Sequence, residues 1–268
     1  MHQFWSIIQD MKTYKAHYKD LTHDTDIEIL NTEEEYKYDP LSFTLDGIRF
    51  KGTSLGDFGL ADESQYEEAR SKFNILKSGG FTLAGREIPY SYRLQGYSLD
   101  TDMLVTAVRK SDGSELEALI HVSFGFTDPD IDKVRCRTYC DDEQVYPDDA
   151  VVNEFSLCIE GEKFMSAHKT LCFEDALIDI SRQVAERYYL KCCFTCQYSD
   201  YSPYGSDDFG TMMCFRCHKD ECLKVNSKDE FFEHLEGKEF ESRQETYLCG
   251  EYEPRRKCEG YRGFVDGV

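Results

Sequence analysis

The chain has 268 residues, 40% hydrophobic and 14% aromatic, enough apolar material for a folded core and too much for a disordered tail. Its 31 basic and 52 acidic side chains give a net charge of −21. Such a surface repels phosphate backbones and anionic lipid, so it disfavours nucleic acid and membranes as partners; it is either simply a solvated surface or one built for a basic partner. No apolar run reaches membrane length. The opening stretch Met1–Asp10 has no basic region followed by an apolar one, so a signal peptide is not expected and a cytoplasmic, thiol-reducing location is.

The first part reads as β-rich. Residues 13–19 and 25–30 alternate and carry aromatic or β-branched types. Ser42–Leu45 and Ile48–Lys51 flank Asp46-Gly47, a strong hairpin signal. Tyr66, Ala69, Phe73 and Leu76 recur at helical spacing, with Asp62 as cap, Gln65 three residues on, and Gly79-Gly80 as the stop. Ile88–Leu94 adds a strand. Met103–Arg109 and Leu116–Phe126 flank a second turn at Ser111–Ser114. Val134–Tyr139 and Glu154–Ile159 add two more strands.

Phe173–Leu190 reads as one amphipathic helix. Phe173, Leu177, Ile180, Val184 and Tyr188 form a single apolar stripe, which is core rather than a cofactor surface. Ser227 and Glu230 form a capping box ahead of Phe231, Phe232 and Leu235. The expected architecture is α+β: a β-rich part over 1–165, then over 166–268 a bridging amphipathic helix and a zinc-ribbon-like C-terminal part.

All 12 cysteines lie at or after Cys136. Two pairs, Cys193-x-x-Cys196 and Cys214-x-x-Cys217, are separated by 17 residues, within the range for a four-cysteine zinc site. Two thiolates three apart on a tight turn can grip one side of a tetrahedral ion, and a second pair closes the other. A closed four-sulfur site is structural, not catalytic. Other readings of the pairs are buried thiols acting as small hydrophobes, a redox pair, and the haem-attachment pattern Cys214-Phe-Arg-Cys217-His218. A redox pair lacks the usual βαβ context, and haem attachment lacks an export signal.

Between the pairs runs a tyrosine-rich loop. Tyr198, Tyr201 and Tyr204 are candidate recognition residues, because tyrosine covers area at low entropic cost. The alternative is a loop that packs its own rings. The basic island Arg255–Lys257 with Arg262 either pairs with Glu251, Glu253 or Glu259 or forms an anion site. The histidines show no metalloprotease spacing, and no phosphate-binding glycine loop or nucleophile elbow is present.

The residues also resemble an uncharacterised bacterial family, a domain of unknown function. The resemblance rests on Cys193-x-x-Cys196-Gln-Tyr-Ser-Asp-Tyr-Ser-Pro-Tyr-Gly205, Phe209-Gly-Thr-Met-Met-Cys214-Phe-Arg216, Gln244-Glu-Thr-Tyr-Leu-Cys249 and Gly260-Tyr-Arg-Gly263, with Lys219, Leu223, Lys228 and Arg255 between them. Tyr14–Asp20 and Gly47–Gly52 resemble its beginning. It implies Cys193, Cys196, Cys214 and Cys249 as the metal set, whereas spacing alone nominates Cys217 as the fourth ligand.

Two functional classes follow. One is a protein-interaction module with a structural zinc and a basic partner, of which an immunity- or antitoxin-like role is one concrete form. The other is an enzyme acting near the zinc module, with Asp200, Tyr201, Arg216 or Glu245 at the site.

Overall fold

The computed structural model describes residues 12–31, 40–83, 86–126, 150–167, 173–203, 209 and 212–255. Strands β1 (Lys12–Lys19) and β2 (Asp24–Asn31) pair antiparallel, with His17 opposite Asp26. Their alternation sends Tyr14, Ala16, Tyr18, Ile27 and Ile29 inward and the charged residues out. Hairpin β3 (Leu41–Leu45) to β4 (Ile48–Gly52) turns at Asp46-Gly47 with φ of 49° and 79°. Both central residues have positive φ, as the favoured two-residue hairpin turn requires, so this expectation holds.

The helix that follows is shorter than its sequence spacing. Asp62 caps a 3-10 turn, accepting from the Ser64 N–H, and α1 covers only Tyr66–Lys72 after the short strand β5 (Gly59–Leu60). Phe73 turns extended, with φ −128° and ψ 156°. Leu76 then lies in β6 (Ile75–Ser78), opposite Arg93 of β9 (Ser91–Leu94). Ladder pairing with β9 satisfies the backbone that a longer helix would have satisfied internally. Gly79 and Gly80, at φ 87° and 72°, lead instead into the small hairpin β7 (Phe81–Leu83) and β8 (Arg86–Ile88).

Strands β10 (Ser98–Arg109) and β11 (Glu115–Phe126) form the longest hairpin. It continues into β12 (Ala150–Ile159) and β13 (Glu162–Met165). The main sheet runs β13-β12-β11-β10-β1-β2-β3-β4-β5-β9-β6. The expected strand at Val134–Tyr139 lies outside the described residues.

Helix α2 covers Phe173–Val184, not the full stretch to Leu190. Phe173, Leu177, Ile180 and Val184 are buried as one stripe. Tyr188 leaves it and enters β14 (Tyr188–Lys191), where Leu190 pairs with Ala107. Tyr188 and Leu190 are buried and their neighbours half-buried, a period of two that suits a strand. β10 thus serves two partners along one edge: β1 at Ser98–Thr101 and β14 at Thr106–Arg109. Strands dominate and helices are few, which is the α+β class.

A second, three-stranded sheet has the order β15 (Ser199–Asp200), β16 (Met212–Cys214), β17 (Glu241–Arg243). Between β16 and β17 lie α3 (Lys219–Cys222) and α4 (Lys228–His234). The Ser227 hydroxyl accepts the Glu230 N–H, the expected cap, while the Glu230 carboxylate accepts the Asn226 N–H. These helices close a small core of Met213, Phe215, Cys222, Val225, Phe231 and Leu235. The main core runs on from the large sheet through Cys192, Cys193 and Phe194 to Tyr201, Phe209 and Met212. No helix among the described residues is long and apolar enough to cross a membrane.

Candidate metal centre

Cys193 opens a 3-10 turn, Cys193–Thr195, directly after β14. The Cys196 N–H closes the turn on the Cys193 carbonyl at 3.0 Å. Such a turn sets two cysteine side chains on one side of a tight loop. The Thr195 hydroxyl fastens it to β14 by donating to the Leu190 carbonyl at 2.5 Å.

Residues 244–255 clasp this turn. The Cys193 N–H donates to the Tyr247 carbonyl at 2.7 Å and the Phe194 N–H to Glu245 at 3.1 Å. Further on, the Gln197 N–H donates to the Glu253 carbonyl and the Arg255 N–H to the Thr195 carbonyl. Cys196 forms a bridge with Pro254. Cys249 therefore sits in the middle of a segment held to the first pair at both ends. On the other flank, Cys214 ends β16, opposite Ser199 of β15 and Glu241 of β17.

The thiols of Cys193, Cys196 and Cys214 are buried, Cys249 is half-buried, and Cys217 is exposed on the turn Arg216–His218. Burial pushes the Cys193 thiol well up, and the neighbouring thiols of Cys214, Cys196, Cys192 and Cys249 push the same way. Burial also pushes Cys214 up to about 11, against the Arg216 N–H that donates to its sulfur, with Glu241, Cys196 and Cys249 adding to the rise. Cys192 stands at about 12, mainly by burial, although the Phe194 and Thr195 N–H groups donate to it. Cys222 packs in the small core and points its thiol at the Gln197 carbonyl, 3.6 Å away. Among the described residues, no group of three or more His, Cys, Asp or Glu side chains is arranged to hold a metal ion. Cys193, Cys196, Cys214 and Cys249 lie within one another's electrostatic reach, as does Cys192, without forming a closed ligand shell.

The polar groups around this centre are engaged with one another. Arg216 Nε donates to Glu241 Oε1 at 2.9 Å, and Arg243 donates to Glu241 Oε2 at 2.5 Å. Burial pulls the Arg216 guanidinium down, but Glu241 outweighs it and the net shift is upward. Asp200 lies 3.6 Å from Arg255, which also donates to the Ser199 carbonyl at 2.5 Å. Tyr201 donates to Glu245. Asp200, Tyr201, Arg216 and Glu245, the residues the enzyme reading places near the site, are thus tied into internal pairs. Nothing in the sequence signals the Glu241 pairing, and the clasp by residues 244–255 is traced only by the Gln244–Cys249 motif and Arg255.

The candidate recognition tyrosines divide differently from expectation. Tyr198 is 4% exposed and Tyr201 6%, so neither offers a ring to solvent. Tyr198 lies under the Lys219 ammonium, 4.8 Å from its ring centre, and accepts from Gln197. Tyr201 donates to Glu245, so both rings are held against polar groups of the C-terminal part. Tyr204, Arg256, Lys257 and Arg262 lie outside the described residues.

No curated protein and no solved structure matches the chain. A family match takes in Tyr14–Asp20, Gly47–Gly52 and the first cysteine pair, and it ends before Cys214 and Cys249. Over residues 12–199, the chain belongs to the family of unknown function DUF6304.

Proposed function

We propose that the chain is a protein-interaction module whose C-terminal part is held together by a structural zinc on Cys193, Cys196, Cys214 and Cys249. The observation that carries this reading is the clasp: one turn bears Cys193 and Cys196, and the segment bearing Cys249 and the strand bearing Cys214 flank it. Burial, with neighbouring thiols adding to it, raises the proton affinity of Cys193 and Cys214, which marks a place where a dication would be welcome. Zinc replaces the thiol protons and turns mutual repulsion into shared coordination. Closing the shell requires the four side chains to converge about the Cys193–Cys196 turn, in a zinc-ribbon-like arrangement. With four sulfurs bound, no position is left to activate water, so the zinc's role is folding free energy.

The partner in this reading is a basic protein, drawn in by the net charge of −21. Elemental analysis of purified protein tests the metal, with about one zinc per chain expected. Protein that binds no zinc when refolded with excess metal under reducing conditions overturns the reading.

A further inference from the structure

Lys77 is a cation held by aromatic rings rather than by a carboxylate. Lys19, Lys72, Lys163, Lys191 and Lys219 each hold a carboxylate within 2.5–2.9 Å. The Lys77 ammonium makes no ion pair among the described residues. It lies over three tyrosine rings, 4.0 Å from the centre of Tyr90, 5.3 Å from Tyr66 and 5.5 Å from Tyr92. All three distances fall within the range for attraction between a cation and a ring face.

The fold builds this arrangement deliberately from separate elements. Lys77 on β6 pairs with Tyr92 on β9. Tyr66 opens α1 and packs its ring 4.8 Å from that of Tyr92. Tyr90 closes the third side, 6.3 Å from Tyr92. Gly80 makes room for it: a Cβ there would stand 2.1 Å from the Tyr90 ring, and φ of 72° favours glycine. Tyr90 remains 46% exposed, so the cage opens to solvent on its side.

We propose that Tyr66, Tyr90 and Tyr92 form a receptor for a quaternary ammonium group, with Lys77 as its displaceable internal occupant. A primary ammonium is compact and strongly hydrated, so leaving water for an exposed cage returns little. A quaternary ammonium holds water weakly and brings methyl groups that fit ring faces, which is why aromatic cages select it. The flexible four-carbon stem of Lys77 lets it swing out. The head group is common to free choline-like molecules and to trimethylated lysine in a protein chain.

The test is a titration of the full chain with tetramethylammonium chloride against sodium chloride of equal ionic strength, read by NMR of ring-labelled tyrosine. A saturable shift of Tyr66, Tyr90 and Tyr92 is expected. Lys77→Ala should tighten binding about fivefold, the cost of displacing an exposed cation–ring contact. Tyr90→Ala, at an exposed position, should abolish the response. Choline and a trimethyllysine amide, run in parallel, assign the source by which binds more tightly. No saturable shift in either the wild type or Lys77→Ala overturns the proposal, as does wild-type binding by Tyr90→Ala. None of these outcomes depends on zinc.

Discussion

The Tyr201 hydroxyl donates to Glu245 Oε1 at 2.9 Å, and Glu245 is fully buried. The pair joins the loop after β15 to the segment that clasps the first cysteine pair. A buried carboxylate depends on such donors, because water cannot replace them. Tyr201→Phe should therefore cost about 1.5–3 kcal/mol of stability, the range for a hydrogen bond to a charged group. Urea unfolding measures it. A loss below about 0.5 kcal/mol would show that Glu245 takes its support from elsewhere.

The metal reading makes a selective forecast for cysteines. Cys193→Ser, Cys196→Ser, Cys214→Ser and Cys249→Ser should each lower zinc from about one per chain to near zero and lower the thermal midpoint. Cys217→Ser, at an exposed thiol, should keep the metal, and so should Cys158→Ser on β12. Zinc retained in Cys249→Ser but lost in Cys217→Ser would return the fourth position to the one that spacing nominates. Chelation of the wild type should reproduce the thermal loss of the serine variants.

The parts of this fold that are legible in the sequence are those decided locally. Asp46-Gly47 states its own turn, because few other dipeptides accept two positive φ values in succession. Ser227 and Asp62 state their caps. What local pattern misread was decided by distant strands. Leu76 has helical spacing behind Tyr66 and Phe73, yet β9 recruits it into a sheet. Tyr188 extends the stripe of α2 by number, yet β10 offers β14 an open edge beyond β1. The centre shows the same division. The spacing of Cys193, Cys196, Cys214 and Cys217 is visible in one dimension, but the run of Tyr247–Arg255 along the first pair is a backbone match across some fifty residues. The burial of Tyr198 and Tyr201 was equally invisible, since a polar, aromatic loop composition fits either side of a surface.

His17 gives a pH-dependent test on the outer face of the sheet. Its Nδ1 meets Asp26 and its Nε2 meets Asp24, each at 2.9 Å. The bond to Asp26, then that to Asp24, raises its pKa above the usual 6.5. A group whose folded pKa is raised stabilises the fold fully below its unfolded value. That contribution is lost as pH rises through the folded value. Stability should therefore fall slightly from pH 6 upward as His17 loses its proton, and Asp26→Asn should flatten that slope. An NMR titration of His17 checks the cause directly. A midpoint that does not move in Asp26→Asn would remove Asp26 as the source.

Asn31 ends β2 with no exposed surface and donates through Nδ2 to Gln244 Oε1 at 2.5 Å, between residues 213 apart in sequence. It also reaches the Tyr14 hydroxyl at 3.4 Å, while its own Oδ1 has no hydrogen-bond partner among the described residues. The bond ties the large sheet to the segment that clasps the cysteine turn, so its loss acts on both. Asn31→Ala would leave Gln244, itself 2% exposed, with a buried acceptor, at about 1–3 kcal/mol. Asn31→Asp should cost more, since it removes the same donor and sets a carboxylate where no water reaches. Asn31→Leu, similar in size and apolar, should fall with Asn31→Ala because Gln244 remains unpaired in both. Restoring shape is not the same as restoring the donor. Urea denaturation of the three variants ranks them. If leucine matches wild type, the site is held by packing and the hydrogen bond contributes little. If leucine falls with alanine and zinc content drops in both, the sheet and the metal centre fold as one unit through this contact.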